Sequence, residues 1–423
     1  MIQYFYFFLK LFLSNSKHVL GFIYQKTNYF YNINSRILQI RREIPENKAS
    51  CNIWFWQLII SPHMADLAVA LARQGFKVTY IAQQVMSADR ACQGWSAPAL
   101  PGVELQLADS DEYVRSLVRT APEDVIHFCQ GLRANGRVSL AQRELAILGR
   151  QQWIVMETVD DTGWKGVLKR GAYSLLFTTK RKSLQGVLTT GHRTAAWVAA
   201  RGMPSSQIFP FAYFLPNPFF QLSIDRAAGQ FRFVFAGRLV SLKRVDWLVK
   251  ALASLTNNAF ELWIVGTGPE ENNLRAFAAV ELGDRVRWFG QLPIAEVPLV
   301  LAQADCLVLP SVHDGWGAVA SEALMNGTPV ICSDACGVAE VVKASGTGGV
   351  FDVNDFISLS CLLDVQLRRG LVEKDMRENL AHWAACLSAD AGAAYLKKIL
   401  DFRARDASTV PSTPWSKKRE LTT

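Results

Sequence analysis

From Cys51 onward the chain alternates short apolar runs with amphipathic stretches. NIWFWQLII (52–60) is continuously apolar, as a strand covered on both faces of a sheet must be. MADLAVALARQG (64–75) follows at helical spacing and stops at a glycine, and KVTYIA (77–82) reads as the next strand. VELQL (103–107), DVIHF (124–128), WIVM (153–156) and GVLTT (186–190) repeat the theme, with helical or loop segments between them. HRTAAWVAARG (192–202) reads as another helix ended by glycine. Residues 203–230 are rich in Pro, Phe and Tyr without a period and read as a connection. The scheme then restarts more clearly. RFVFAG (232–237), FELWIVG (260–266), VRWFG (286–290), DCLVLP (305–310), TPVICS (328–333) and GGVF (348–351) are the strands. Helices fall at 244–255, near 294–303, at 318–327 and from about 354, with a last strong one over about 374–402. Strands alternating with helices imply doubly wound parallel sheets, here an α/β fold of two similar domains.

The expected organisation is a leader over 1–50, a first domain over 51–215 and a second over 216–375. A C-terminal helix over 376–404 is placed to pack back on the first domain, and 405–423 reads as a polar, mobile tail. Half the residues are hydrophobic and 19% charged, enough apolar surface for large cores and against disorder. The net charge of +8 sits at the ends. Residues 1–50 hold seven Lys/Arg against two Asp/Glu, and 401–423 hold five against three, leaving the body near +1. That argues against a broad nucleic-acid face. Eight cysteines form no CxxC pair and read as the reduced thiols of a cytoplasmic protein.

MIQYFYFFLKLFL opens the leader. It is too short to span a bilayer, and it lacks the basic start and cleavage site of a signal peptide. Two readings stand open: an interfacial anchor, with Lys10, Lys17, Lys26, Arg36, Arg41 and Arg42 toward anionic lipid, or a poorly ordered leader. The first would make the protein peripheral at the inner face of the cytoplasmic membrane.

Ligands of doubly wound sheets bind at the carboxyl ends of strands, and two such domains present a cleft between them. Three strand-end loops of the second half stand out. FAGRLVSLKR (235–244) carries Gly237, Arg238 and Lys243 beside a helix start, a place for phosphates. Two surface cations is the common reading of any Arg/Lys pair; the preceding glycine and the shared strand end favour phosphate. VGTGPEENNL (265–274) makes a glycine turn with Gly266 and Gly268, a weak signal alone. HDGWGAVASEALMNGTPV (313–330) places Asp314 in a loop and Glu322 early in a helix, with Gly315, Trp316 and Gly317 between them. Taken alone, such acids are usually solvated.

Together FAGRLVSLKRVDWLVKAL, WIVGTGPE and LPSVHDGWGAVASEALMNGTPVICSDACG, in this order, resemble the donor half of glycosyltransferase family 4, with the match strong over about 231–355. The resemblance implies the GT-B fold, two facing Rossmann-like domains. It also implies metal-independent transfer from a nucleotide-sugar donor with retention at the anomeric carbon, and no cofactor. It places Arg238 and Lys243 on the donor diphosphate, the first acid of the motif beside the donor sugar, and Glu322 on the ribose hydroxyls. The family's first acid is Glu; here it is Asp314, roughly 1 Å shorter by one C–C bond. No spaced Asp-x-Asp metal motif lies in a suitable loop, and Asp160-Asp161 is a weak substitute.

Over 51–215 the resemblance is architectural only. His63, His127 and Glu157 lie at or near strand ends and are weak candidates for the acceptor side; METVDDTGWKG (156–166) is an acidic loop there. KRKSLQG (180–186) is a basic cluster, either a solvated charge run or a contact for a membrane-bound, phosphate-bearing acceptor. The expected activity is that of a hexosyltransferase-type enzyme acting on a glycan or lipid-linked acceptor, in a cell-surface polysaccharide or lipopolysaccharide pathway. A sugar-nucleotide epimerase, a glycan phosphorylase and a non-catalytic nucleotide-sugar-binding subunit are the alternatives. A dinucleotide oxidoreductase is disfavoured, because SPHMADL after the first strand lacks GxGxxG.

Overall fold

A computed structural model describes residues 51–216, 229–405 and 409–416. The leader, the middle of the connection and the last residues of the tail lie outside the described residues.

Seven parallel strands build the first sheet: β1 (Asn52–Gln57), β2 (Lys77–Ala82), β3 (Glu104–Leu107), β4 (Ile126–Gln130), β5 (Gln152–Glu157), β6 (Leu184–Thr190) and β7 (Ile208–Phe211). Their order is β3-β2-β1-β4-β5-β6-β7. Six more build the second sheet: β8 (Phe231–Ala236), β9 (Phe260–Val265), β10 (Val286–Gly290), β11 (Cys306–Leu309), β12 (Val330–Ser333) and β13 (Gly349–Phe351). Their order is β10-β9-β8-β11-β12-β13. In both sheets the order reverses beside the first strand, so the loops after β1 and β4, and after β8 and β11, diverge there and open a crevice. The central strands are buried because helices cover both faces; β11 and β12 have no exposed residue. The edge strand β3 is mostly exposed.

Several sequence expectations need correction. The apolar run from Asn52 leaves the sheet after Gln57, because Leu58 donates its backbone N–H to the Gln130 side chain and Ile60 to Val85. The connection read over 203–230 contains β7, paired in parallel with β6 from Val187↔Ile208 to Thr190↔Phe211; Pro210 sits on this edge strand, where a missing donor is tolerated. Part of the acidic loop and of the basic cluster belong to one 18-residue helix, Gly163–Lys180.

The last helix expected over 374–402 is two. Lys374–Ala384 stays with the second domain, and Ala389–Arg405 packs on the first-domain helix Pro62–Arg73. Between them Leu215 donates its N–H to Leu387 O (3.0 Å) and accepts from Ala389 N (2.7 Å), which pins the chain where it crosses back. Arg73 with Asp390 (2.8 Å) and Tyr395 Oη with Pro210 O (3.1 Å) hold the returning helix.

The tail, expected to be mobile beyond residue 405, is anchored at 414–416. Trp415 is 2% exposed, with its ring 6.1 Å from Trp316 and 6.5 Å from Phe214. Trp415 therefore bridges the 314–317 loop and the pinned crossing. We predict that Trp415→Ala lowers stability by about 3 kcal/mol, the scale of a large buried aromatic, as read by chemical denaturation; an unchanged midpoint would show that the tail is not anchored in solution.

Candidate functional site

At the strand carboxyl ends the two domains approach backbone to backbone, with side-chain contacts around that point. Across the domains, a Cβ on Gly191 would lie 2.7 Å from Gly315 O; within the second domain, one on Gly337 would lie 2.0 Å from the same oxygen. His192 N donates to Gly337 O (3.0 Å), and the Arg193–Asp334 ion pair (2.5 Å) closes the contact beside it. The 314–317 loop is fixed from its own domain as well. Gly337 N donates to Asp314 O (3.0 Å) and Val338 N to Trp316 O (2.8 Å).

On this loop Asp314 Oδ2 lies 2.5 Å from Lys243 Nζ, both side chains about one-fifth exposed. The acid and the cation that the resemblance assigns to different parts of the donor are thus a bonded pair. Lys243 ends a tight turn, Ser241–Lys243, after β8. Arg238 follows β8 directly and is exposed; among the described residues its guanidinium has no hydrogen bond or ion pair. Glu322 lies on the helix Ala318–Met325, where burial pushes its carboxyl up to about 7.

Gly266 and Gly268 have a packing role. A Cβ on either would meet Gly237 O at 2.0 Å or Leu239 O at 2.2 Å, so this turn supports the Arg238 loop from beneath. Trp316 is 3% exposed and donates its indole N–H to Ser321 Oγ (3.0 Å), which commits its polar atom within the protein.

Opposite this loop the first domain opens a cavity of about 660 Å³. Asp314, Trp316, Gly317 and Ala318 form its second-domain wall, whereas Arg238, Lys243 and Glu322 are not among its lining residues. Glu157, at the end of β5, faces it from the other side, and a Cβ on Gly315 would lie 2.0 Å from Glu157 Oε2. Tyr213 donates its hydroxyl to Glu157 Oε1. Surrounding protein raises the Glu157 pKa; the Tyr213 hydrogen bond opposes this and the Asp314 charge adds to it. His63 also lines the cavity, stacked on Tyr213 at 4.7 Å and edge-on to Trp95. Burial and then Arg90 lower its pKa to about 4, so it is a neutral imidazole at physiological pH.

His127 does not join the site. It is the second residue of β4, 1% exposed, and accepts the Trp56 indole N–H at Nδ1 (3.2 Å). Burial lowers its pKa to about 3, so it is a core histidine. Asp161, half of the weak metal candidate, is committed to Trp197 (2.9 Å), Arg201 (3.1 Å) and Arg170 (3.3 Å).

Sequence reasoning missed Tyr213, Arg90 and Arg133, all lining the cavity. Arg133 lies in the loop GLRANG after β4, where Gly131, Ala134 and Gly136 all have positive φ. Two glycines directly after a strand were the available signal. Tyr213 was hidden in the aperiodic connection.

Two doubly wound parallel domains facing across such a cleft define the GT-B architecture, and the chain shares it with solved glycosyltransferases. The structure titled lipopolysaccharide outer core galactosyltransferase WaaB superposes with a TM-score of 0.61 at 15% identity, over 84% of this chain and 99% of that one. Anabaena HepE, solved in complex with UDP, gives 0.62 at 15% identity over 83% and 99%. Residues 221–383 match the family described as glycosyl transferases group 1, a match confined to the second domain. Among curated relatives, the 2-deoxystreptamine glucosyltransferase of Streptomyces kanamyceticus is 36% identical over 111 residues, 26% of this chain and 29% of that one. The D-inositol 3-phosphate glycosyltransferase of Nocardia farcinica is 35% identical over 133 residues, 29% of each chain. The chain thus matches under a third of the length of either relative.

The raised Glu322 pKa has a measurable consequence. Between about 4.3, the ordinary glutamate value, and about 7 the folded state keeps a proton that the unfolded chain has released. The stability contribution of this group therefore falls as pH rises through that window and stays lower above it. Glu322→Gln cannot ionise. Its melting temperature should exceed that of the wild type at about pH 8, and the gap should close toward pH 4; a gap independent of pH across melts would overturn the assignment.

Proposed function

We propose that this protein is a retaining glycosyltransferase that moves a sugar from a nucleotide-diphosphate donor to an acceptor hydroxyl held in the first-domain cavity. The observation that carries the reading is the bonded Lys243–Asp314 pair on a family-matched domain, with Asp314 also forming a wall of the 660 Å³ cavity. Donor-side and acceptor-side groups thereby meet at one residue.

In this reading Arg238 and Lys243 hold the donor diphosphate and Glu322, when ionised, accepts from the ribose hydroxyls. Charge builds on the diphosphate as its bond to the anomeric carbon breaks, and fixed cations stabilise that charge without reorganising. The acceptor oxygen bonds to the anomeric carbon on the face the diphosphate leaves, and its proton ends on the departing diphosphate. No metal or other cofactor is assigned a step. Lys243 is shared between Asp314 and the diphosphate, so the donor enters by competing with, or bridging, an existing ion pair. Asp314 then faces the sugar. Glu157, Tyr213 and neutral His63 orient the acceptor.

The cavity supports a transferase over an epimerase, which needs no acceptor site. Relatives named for lipopolysaccharide and inositol-phosphate glycosyl transfer support a glycan, phosphate-bearing or lipid-linked acceptor.

Donor binding is tested by thermal shift with UDP-, GDP- and ADP-linked sugars, and turnover by donor consumption with cell-envelope extract. One nucleotide class should raise the melting temperature, and no shift with any would sink the donor site. Arg238→Ala and Lys243→Ala should each lower turnover by at least about 100-fold, the scale for losing one preorganised group, while remaining folded. Asp314→Glu should retain more activity than Asp314→Asn; equal rates for the two would remove the carboxylate from the mechanism.

A further inference from the structure

The helix Gly163–Lys180 is built the wrong way round for a surface helix. Such a helix ordinarily turns its apolar stripe inward and its polar face to water. Here Trp164, Val167, Leu168 and Leu175 are 70%, 58%, 64% and 66% exposed. At 3.6 residues per turn Trp164, Leu168 and Leu175 share one outward face with Val167 beside it. The helix is already docked by its other side, where Gly166 and Phe177 are buried. Asp161, just before it, binds Arg170 of the helix and Arg201 and Trp197 of the domain body. A Cβ on Gly166 would overlap Asp161 O, so the entry loop that carries Asp161 folds directly against the helix's first turn. The apolar face is therefore not a surface still to be packed into its own core.

Charge identifies what it meets. Residues 163–183 contain six Lys/Arg and no Asp/Glu, whereas the rest of 51–400 holds 27 Lys/Arg against 32 Asp/Glu. Of the six, Arg170 is paired with Asp161 and Lys169 with Asp160 O, which leaves Lys165 and the cations at 180–182 without a carboxylate partner among the described residues. Lys165 lies over the Trp164 ring, and Arg181 and Lys182 follow the other end of the helix. A helix with aliphatic side chains and Trp outward and cations along it matches the chemistry of an anionic bilayer surface, with the apolar groups at the acyl boundary and the ammonium and guanidinium groups among the phosphates. The same helix carries Tyr173, which lines the 660 Å³ cavity, with Arg133 5.8 Å from its ring centroid.

We propose that the outward face of Gly163–Lys180 lies in the headgroup region of an anionic membrane and brings the first-domain cavity to the lipid surface. The docking itself does not depend on the proposed transfer reaction. If both hold, the acceptor is delivered from the membrane rather than from free solution.

Co-sedimentation of the full-length chain with vesicles tests this without any enzymatic readout. Phosphatidylcholine mixed with phosphatidylglycerol should bind the protein, and phosphatidylcholine alone should bind it at least tenfold less. Leu168→Ser combined with Leu175→Ser should weaken partitioning into anionic vesicles by at least about tenfold, given the burial energy of leucine side chains. Lys165→Glu with Lys182→Glu should do the same and remove the preference for phosphatidylglycerol. Both sites are exposed, so each variant should melt at the wild-type temperature. Equal vesicle binding by wild type and both variants would overturn the proposal, whatever the leader contributes. So would self-association of the wild type, seen by gel filtration and abolished by the leucine variant, without vesicle binding, since a second copy would then be the occupant. Loss of donor binding with vesicle binding intact would instead refute the transferase reading alone.

Discussion

The arrangement of the cleft depends on a place where no side chain fits. Gly191 ends the first sheet's approach, Gly315 lies in the loop after β11, and Gly337 follows β12; their backbones touch at spacings that a Cβ on Gly191 or Gly337 would violate. Glu157 lies against Gly315 with the same lack of clearance. Side-chain interfaces can slide or repack. A backbone contact held by His192 N to Gly337 O and Gly337 N to Asp314 O has far fewer alternatives. This junction sets where Asp314 stands relative to the first domain, and so decides which groups share the site.

Electrostatics follows from that placement. Asp314 stands between a cation of its own domain and an acid of the other. Lys243 balances it at 2.5 Å, while its charge helps keep the Glu157 pKa raised. A neighbouring negative charge disfavours the ionised form of Glu157. Glu322 is raised by burial alone, without a neighbouring acid. Glu157 and Glu322 are thus both raised, the first by burial with a neighbouring acid adding to it and the second by burial alone.

The two parallel sheets were legible in the sequence because their central strands are continuous apolar runs, and nearly every one was located to within a few residues. Elements whose signal is tertiary were not. β7 was missed because Pro210 and the aromatics around it have no period, and only pairing with β6 makes them a strand. The break between the last two helices was missed because its cause, the double hydrogen bond to Leu215, lies about 170 residues earlier in the chain. Of the donor-side candidates, Arg238, Lys243 and Asp314 were visible as strand-end loop residues and Glu322 as a residue of the helix that follows. Their pairing was not, because spacing in sequence does not report which acid meets which cation. His127, a weak candidate for the acceptor side because it lies near a strand end, completes a hydrogen bond with Trp56 inside the core instead.

The aspartate at 314 can now be understood in terms of what surrounds it. A glutamate has one more rotatable bond to immobilise, and holding it costs more side-chain entropy. Its extra methylene would also have to be accommodated between Lys243 and a loop that is fixed on both sides, by Ala335 O and Gly337 N on the backbone of residue 314 and by Gly191 against Gly315. In this frame the short arm already reaches its cation. What the frame requires at this position is a carboxylate held at a fixed place between Lys243 and the cavity, and aspartate meets that requirement with the fewest degrees of freedom.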